Sequence, residues 1–255
     1  MSDITVRRDD HVATIVIDRP PNNHVSVGLI GEIADALEAL DADRGCRAVV
    51  LASEGKVFCG GADLTPGGPD GGRPGSMAGD LYRQAERLFR TRKPIVAAVQ
   101  GAAVGAGLGL ALVADFRVAS AEARLSANFA KLGFHSGFGI SLTLPRLVGL
   151  QQAALLLQTG RRVTGEEALA IGLVDQLAPL AEVRAAALAL AHEIAANAPL
   201  AVQAMRATLR QGLADAVHAQ MAHELAEQTV QRATADFAEG VRAVAERRPG
   251  AFTGA

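Results

Sequence analysis

The sequence predicts an α/β protein with a parallel sheet, and three observations carry that prediction. Ala48-Val49-Val50-Leu51 and Ile95-Val96-Ala97-Ala98-Val99 are short apolar runs rich in β-branched residues, the pattern of strands buried on both faces. Between strand-like runs, Val27 to Leu40 sets Leu29, Ile30, Ile33, Ala36, Leu37 and Leu40 at helical spacing, and strand–helix–strand order makes the pairing parallel. Two strand-like runs then enter glycine-lined bends, at Val57 to Leu64 and at Gln100 to Gly109.

In chain order, Ile4 to Val6 and Val12 to Ile17 flank Arg7 to His11, where Asp9-Asp10 supplies a turn, so they read as an antiparallel hairpin. Pro20-Pro21-Asn22-Asn23 stops it. Thr65 to Gly79 holds six glycines and three prolines and reads as irregular, either a plain linker or a lid over a neighbouring site. Leu81 to Arg90 is a helix leading back to the Ile95 strand, which Pro94 and Gly101 bound, and Leu108 to Ala114 is a buried helix. Leu150 to Gln158 and Glu166 to Ile171 are short helices. Ala181 to Ala196, Leu200 to Gln211 and Asp215 to Arg232 are longer amphipathic ones, with a boundary near 197–199 marked by Pro199. The expected organisation is therefore a core over residues 1–197 and a helical region over 198–255.

Composition narrows the function. A net charge of −2 gives no bias toward nucleic acid or an anionic membrane, and with no tryptophan and Tyr82 alone there is no aromatic platform for bases. Cys46 and Cys59 form no close pair, and His218 and His223 lack ligand spacing, so neither a disulfide framework nor a metal site is expected. The start at Met1-Ser2-Asp3-Ile4 shows no secretory signal, and a cytoplasmic protein is expected. Ile95 to Ala114 is uncharged and long enough to span a bilayer, but four glycines and Gln100 interrupt it and no second span supports it.

A glycine bend between a strand and a helix aims free N–H groups, and the positive end of the helix dipole, at an oxygen that carries or develops negative charge. That is the machinery of an oxyanion hole. Gly105-Ala106-Gly107-Leu108-Gly109 is spaced G-x-G-x-G with no acidic strand end to follow, which disfavours a dinucleotide loop. Close packing of helix on strand explains some of these glycines equally well.

Phe58-Cys59-Gly60-Gly61-Ala62-Asp63-Leu64 and Gln100-Gly101-Ala102-Ala103-Val104-Gly105-Ala106-Gly107 resemble the two backbone motifs of the crotonase superfamily, the enoyl-CoA hydratases and isomerases. Further matches in the family's order are Ala114-Asp115, Leu144 to Gly149, Gly165 to Ala168 with Gly172 to Asp175, and the ending from Glu239-Gly240 to Phe252. The resemblance implies the crotonase (ClpP-like) fold, stacked ββα units followed by a helical C-terminal trimerisation region, in a homotrimer or a hexamer made of two trimers. It implies an acyl-CoA thioester substrate, with coenzyme A as part of the substrate and no separate cofactor. By motif position the oxyanion donors are the amides of Gly60 and Ala106, with Cys59, Gly61, Ala62, Asp63, Gly105 and Gly107 around them. Arg247-Arg248 resembles the family's terminal cationic position that reaches a CoA phosphate, although a cationic helix end would read the same.

The family's acids are missing. The two glutamate positions of the hydratases fall on Gly109 and Phe129, and the aspartate positions of some isomerases and dehalogenases fall on Ser136 and Gly137. A positioned carboxylate contributes about 10²–10⁴-fold, so an efficient hydratase of the usual kind is not expected. His135 stands as the remaining acid–base candidate, with a neutral packing role as its alternative. Tyr82 and Glu86, one helical turn apart, can present a phenol and a carboxylate to the pocket; Asn128 and Ser141 can hydrogen-bond a ligand or cap a turn. Asp63 reads as a brace for the oxyanion loop. The expected function is a lyase or isomerase that stabilises a thioester enolate, in a reaction such as isomerisation, decarboxylation or hydrolysis. The alternatives are a non-catalytic acyl-CoA binding protein and a true hydratase with a different acid–base group.

Overall fold

The computed structural model describes residues 2–64 and 76–255. Ile4–Asp9 (β1) and Val12–Ile17 (β2) form the hairpin, with Asp10 at φ 49° in its turn. β1 extends three residues beyond the Val6 expected from its pattern, because an edge strand tolerates Arg7, Arg8 and Asp9 on exposed positions. Val27–Ala42 (α1) follows, its first turn capped by the Ser26 hydroxyl accepting from the Leu29 N–H at 3.1 Å.

The repeating unit then begins. Ala48–Ser53 (β3) lies in a six-stranded sheet and Val57–Cys59 (β4) in a four-stranded one; Ser76–Phe89 (α2) returns the chain. Ile95–Val99 (β5), Ala102–Val104 (β6) and Ala106–Val113 (α3) repeat the step, and Phe116–Ala119 (β7), Arg124–Ser126 (β8) and a 3-10 turn at Asn128–Leu132 repeat it again. Each unit therefore sends one strand to each sheet, which is the stacked ββα arrangement. Ile140–Thr159 (α4) holds Pro145 and breaks at Gly149, whose φ of 76° is not helical; only its second half was legible as Leu150 to Gln158. Arg162–Thr164 (β9), Gly165–Ala170 (α5) and Gln176–Leu177 (β10) complete the sheets. Their orders are β1-β2-β3-β5-β7-β10, parallel after the hairpin, and β4-β6-β8-β9, with β9 antiparallel.

Val183–Ala195 (α6), Pro199–Leu209 (α7), Leu213–Gln231 (α8) and Ala235–Ala245 (α9) finish the chain. Strand alternation divides the core: Val12, Ala48, Val50, Val96 and Val118 turn to α6, while Val49, Leu51, Ile95 and Ala97 turn to the larger cluster. Leu213, Val217 and Met221 of α8 join that larger cluster, so α8 packs on the same core as the sheets. Asp115 ties α7 to the sheet, accepting from the Ile95 N–H at 2.8 Å, Arg206 at 2.8 Å and Arg210 at 2.9 Å. The segment 65–75, which holds most of the expected lid, lies outside the described residues; Ser76 to Gly79, expected to be irregular, form the first turn of α2.

Candidate functional site

A cavity of about 660 Å³ opens between the ends of β4 and β6, helix α2, the 3-10 turn and the two last helices. Its floor is made of backbone. Gly61 has φ +83°, and a Cβ there would fall 2.5 Å from the Val104 carbonyl oxygen and 3.5 Å from the Ala106 nitrogen; a Cβ on Gly107 would fall 2.1 Å from the Cys59 carbonyl. The two glycine bends are therefore in main-chain contact, which only glycine permits. Close packing and donor placement are one fact here.

Each bend offers one amide. Ala106 opens α3 behind Gly105 (φ 55°, ψ −124°), so its N–H has no acceptor within the helix. Gly60, expected as the other donor, is already committed: its N–H donates to the Asn22 carbonyl at 2.8 Å. Two residues on, the Val25 N–H donates to the Gly61 carbonyl at 3.0 Å in a one-residue parallel bridge that pairs Val25 with Ala62. Bonds in such a bridge run to the neighbours of the opposite residue, so the amide of Ala62 itself turns away from Val25. Ala62 lines the cavity.

Of the other expected residues, Gly61, Asp63, Gly105, Phe129, Tyr82 and Arg247 line the cavity, as does Gly60 itself. Cys59 and Gly107 lie behind the lining; the Cys59 thiol is fully buried and burial pushes its pKa up to about 12, so it is inert. Glu86 is not among the lining residues either; it is held by Arg90 at 2.7 Å and His218 at 2.7 Å. Nor does His135 reach the wall, which is formed there by Phe134 and Gly137. Its Nδ1 is 2.8 Å from the Ser136 carbonyl oxygen, and its ring packs edge-on against His223, 5.7 Å between centroids.

The positions of the missing acids are filled. At Gly109, where the resemblance puts the first glutamate, a Cβ would meet the Phe138 Cβ at 2.7 Å, so the fully buried Phe138 occupies the space a side chain there would need. Phe129 at the second stacks edge-on with Phe134, 5.4 Å between centroids. At Gly137 a Cβ would lie 1.9 Å from the Tyr82 hydroxyl oxygen and 2.6 Å from the Gln228 Nε2. The Tyr82 hydroxyl donates to Gln228 Oε1 at 3.1 Å, and burial raises the phenol's pKa, so it stays protonated.

Two further lining residues carried no sequence signal. His24 Nδ1 lies 3.0 Å from the Gly61 carbonyl oxygen, which can only accept, so the proton sits on Nδ1 and Nε2 faces the Asn22 amide nitrogen at 3.3 Å. Gln228 arrives from α8, more than ninety residues after the stretch it touches. Behind the wall Glu224, also missed, is fully buried; it accepts from the Gly139 N–H at 2.7 Å, the Ser141 N–H at 3.1 Å and the Ser141 hydroxyl at 2.5 Å.

Comparison with known proteins agrees with this architecture. The sequence profile of the family described as Enoyl-CoA hydratase/isomerase matches residues 7–255. A Thermus thermophilus relative is 40% identical over 253 residues, 95% of this chain and 97% of its own. The 2,3-dehydroadipyl-CoA hydratase of Escherichia coli is 32% identical, with both chains covered in full at 100%. Among solved structures, the enoyl-CoA hydratase/isomerase of Pseudoalteromonas atlantica T6c superposes with a TM-score of 0.88 at 32% identity, covering 98% of this chain and 100% of that one. The carnitinyl-CoA hydratase of Mycobacterium avium gives 0.87 at 31%, with 100% of each chain covered. With two sheets of stacked ββα units and a profile match over nearly its whole length, the chain belongs to the enoyl-CoA hydratase/isomerase family of the crotonase superfamily.

Proposed function

We propose that this chain acts on an acyl-CoA thioester, holding its carbonyl oxygen between the amides of Ala62 and Ala106 and stabilising the enolate that forms there. The observation that carries the proposal is the main-chain contact of the two glycine bends, which sets two cavity-lining residues with outward amides side by side. Ala62 takes the part expected of Gly60, whose N–H is spent on Asn22. Two preorganised donors in a dry site are worth several kcal/mol to a developing oxyanion, roughly 3 kcal/mol for each donor removed. Arg247, exposed at the cavity rim, suits a CoA phosphate.

With Phe138 and Phe129 where glutamates would stand, water activation by a carboxylate pair has no place. The reading favours a lyase or isomerase over a hydratase, even though the E. coli and M. avium relatives are named hydratases. The same aromatic filling also favours a second reading, a CoA-ester binding protein without turnover. Incubation with enoyl-, β-keto- and malonyl-type CoA esters followed by mass spectrometry separates the two: any enzymatic conversion excludes the carrier, and hydration of crotonyl-CoA at ordinary enzymatic rates sinks the non-hydratase reading.

The donor assignment has its own test. Proline is tolerated at the first position of a helix, where it deletes only an N–H without an intrahelical acceptor. Ala106→Pro should keep the fold yet lose the downshift of the thioester C=O stretch that bound butyryl-CoA shows in the infrared; a retained downshift would refute the Ala106 donor. The assembly proposed is a homotrimer or hexamer, cytoplasmic. Leu150 of α4, 78% exposed, and Leu200 and Leu209 of α7, 81% and 78% exposed, are the apolar residues that such contacts would cover.

A further inference from the structure

The cavity wall holds a polar pair, Tyr82 and Gln228, beside aromatic residues. Gln228 is 1% exposed, and its Nε2 donates to the His135 carbonyl at 2.9 Å. A carbonyl can only accept, so the amide cannot turn over, and its Oε1 must face the Tyr82 hydroxyl. That oxygen in turn fixes the phenol proton, which points at Gln228 over 3.1 Å. Tyr82, Gln228 and Gly137 all line the cavity beside the apolar Leu81, Phe129 and Phe134. With its proton committed to Gln228, the phenol oxygen of this lining residue has only a lone pair to offer a ligand.

We infer that Tyr82, oriented by Gln228, is a specificity-determining residue that selects acyl groups carrying a hydrogen-bond donor, such as a hydroxyl, near the thioester. This rests on the acyl-CoA reading given above and deepens it. An unsubstituted chain would bury that lone pair against hydrocarbon with nothing to satisfy it, and an unpaired buried acceptor weakens binding. A ketone would set two acceptors against each other, because the only phenol proton is already used. Gly137 belongs with the pair: any side chain there would strike the hydroxyl at 1.9 Å.

The test measures dissociation constants of the full chain by calorimetry for butyryl-, 3-hydroxybutyryl- and acetoacetyl-CoA, which place on one carbon nothing, a donor, and an acceptor alone. The hydroxy ester is expected to bind at least about tenfold more tightly than butyryl-CoA, and acetoacetyl-CoA no more tightly than butyryl-CoA. Tyr82→Phe should bring the hydroxy-to-butyryl ratio close to one. Gln228→Leu releases the phenol proton toward the ligand and should reverse the order in favour of acetoacetyl-CoA, a reversal that a merely structural Tyr82 would not produce. Should Tyr82→Phe fail to fold, Gln228→Leu and Gly137→Ala carry the same test. Equal binding of the three esters, a wild-type preference for acetoacetyl-CoA, or a ratio untouched by these changes overturns the inference and leaves the acyl-CoA reading standing. Failure of every CoA ester to bind overturns both.

Discussion

The two halves of the cavity were built by different means. The floor is main chain from two short stretches, Gly60 to Ala62 and Gly105 to Gly107, each contained in one strand–bend–helix unit. The facing wall is side chains collected from α2, the 3-10 turn, α8 and α9. The glycine contact points of the floor can accept no new atom, whereas the wall is aromatic and aliphatic with a tyrosine and a glutamine. Backbone chemistry constrains sequence to glycine at contact points and leaves side chains open; side-chain chemistry is free to change once the floor is set.

The severest challenge to that contrast is Gly107→Ala. Its Cβ would sit 2.1 Å from the Cys59 carbonyl and 2.9 Å from the Cys59 Cβ, both in a packed interior. The bends would have to part, and a loss of about 4 kcal/mol or more in unfolding free energy is expected. Thermal or urea unfolding reads it, and wild-type stability would show that contact between the bends is dispensable.

Glu224 tests whether the wall is braced from behind. It caps the start of α4 with three accepted hydrogen bonds, and Glu224→Ala should lower stability by about 3 kcal/mol, since it leaves the Gly139 and Ser141 donors without their acceptor in the interior. Burial nonetheless raises its pKa above the ordinary carboxylate value, so the folded chain binds this proton more tightly than the unfolded one. Its contribution is complete below the unfolded pKa and is lost as pH rises through the folded pKa. A stability–pH profile of Glu224→Gln should lack that decline, and a profile parallel to wild type would contradict the burial argument.

What was legible follows the same division. Glycine bends, hairpin and parallel order could be read because each depends on residues adjacent in sequence. That the Gly60 amide is engaged could not be read, because it turns on the contacts of Asn22 and Val25 with this bend, across nearly forty residues. Gln228, Glu224 and His24 left no local trace, since an ordinary glutamine on a polar-looking helix acquires its role only where α8 lands. The first half of α4 was hidden by Pro145, and β1 ran past its apolar pattern because edge positions need none.

A smaller effect separates loss of an acid from loss of space for one. Gly109→Ala should cost about 2 kcal/mol, because its Cβ meets the Phe138 Cβ at 2.7 Å. In a Phe138→Ala background the same change should be nearly free, a coupling of at least about 1 kcal/mol. Additive effects would mean that Phe138 does not occupy the space a side chain at Gly109 would need.

The smallest effect expected is at the residue that the sequence put forward for acid–base work. His135 contributes its carbonyl to Gln228 and its N–H to Gln231, both main-chain functions that His135→Ala keeps. The ring itself meets His223 and the adjoining Ser136 carbonyl, outside the cavity lining. Removing it should change stability by less than about 1 kcal/mol and leave the discrimination among CoA esters within about twofold, because the atoms that hold Gln228 stay in place. A tenfold loss of turnover in this variant would return the imidazole to the chemistry and place the reacting carbon on the far side of Phe134, where the present geometry puts only packing.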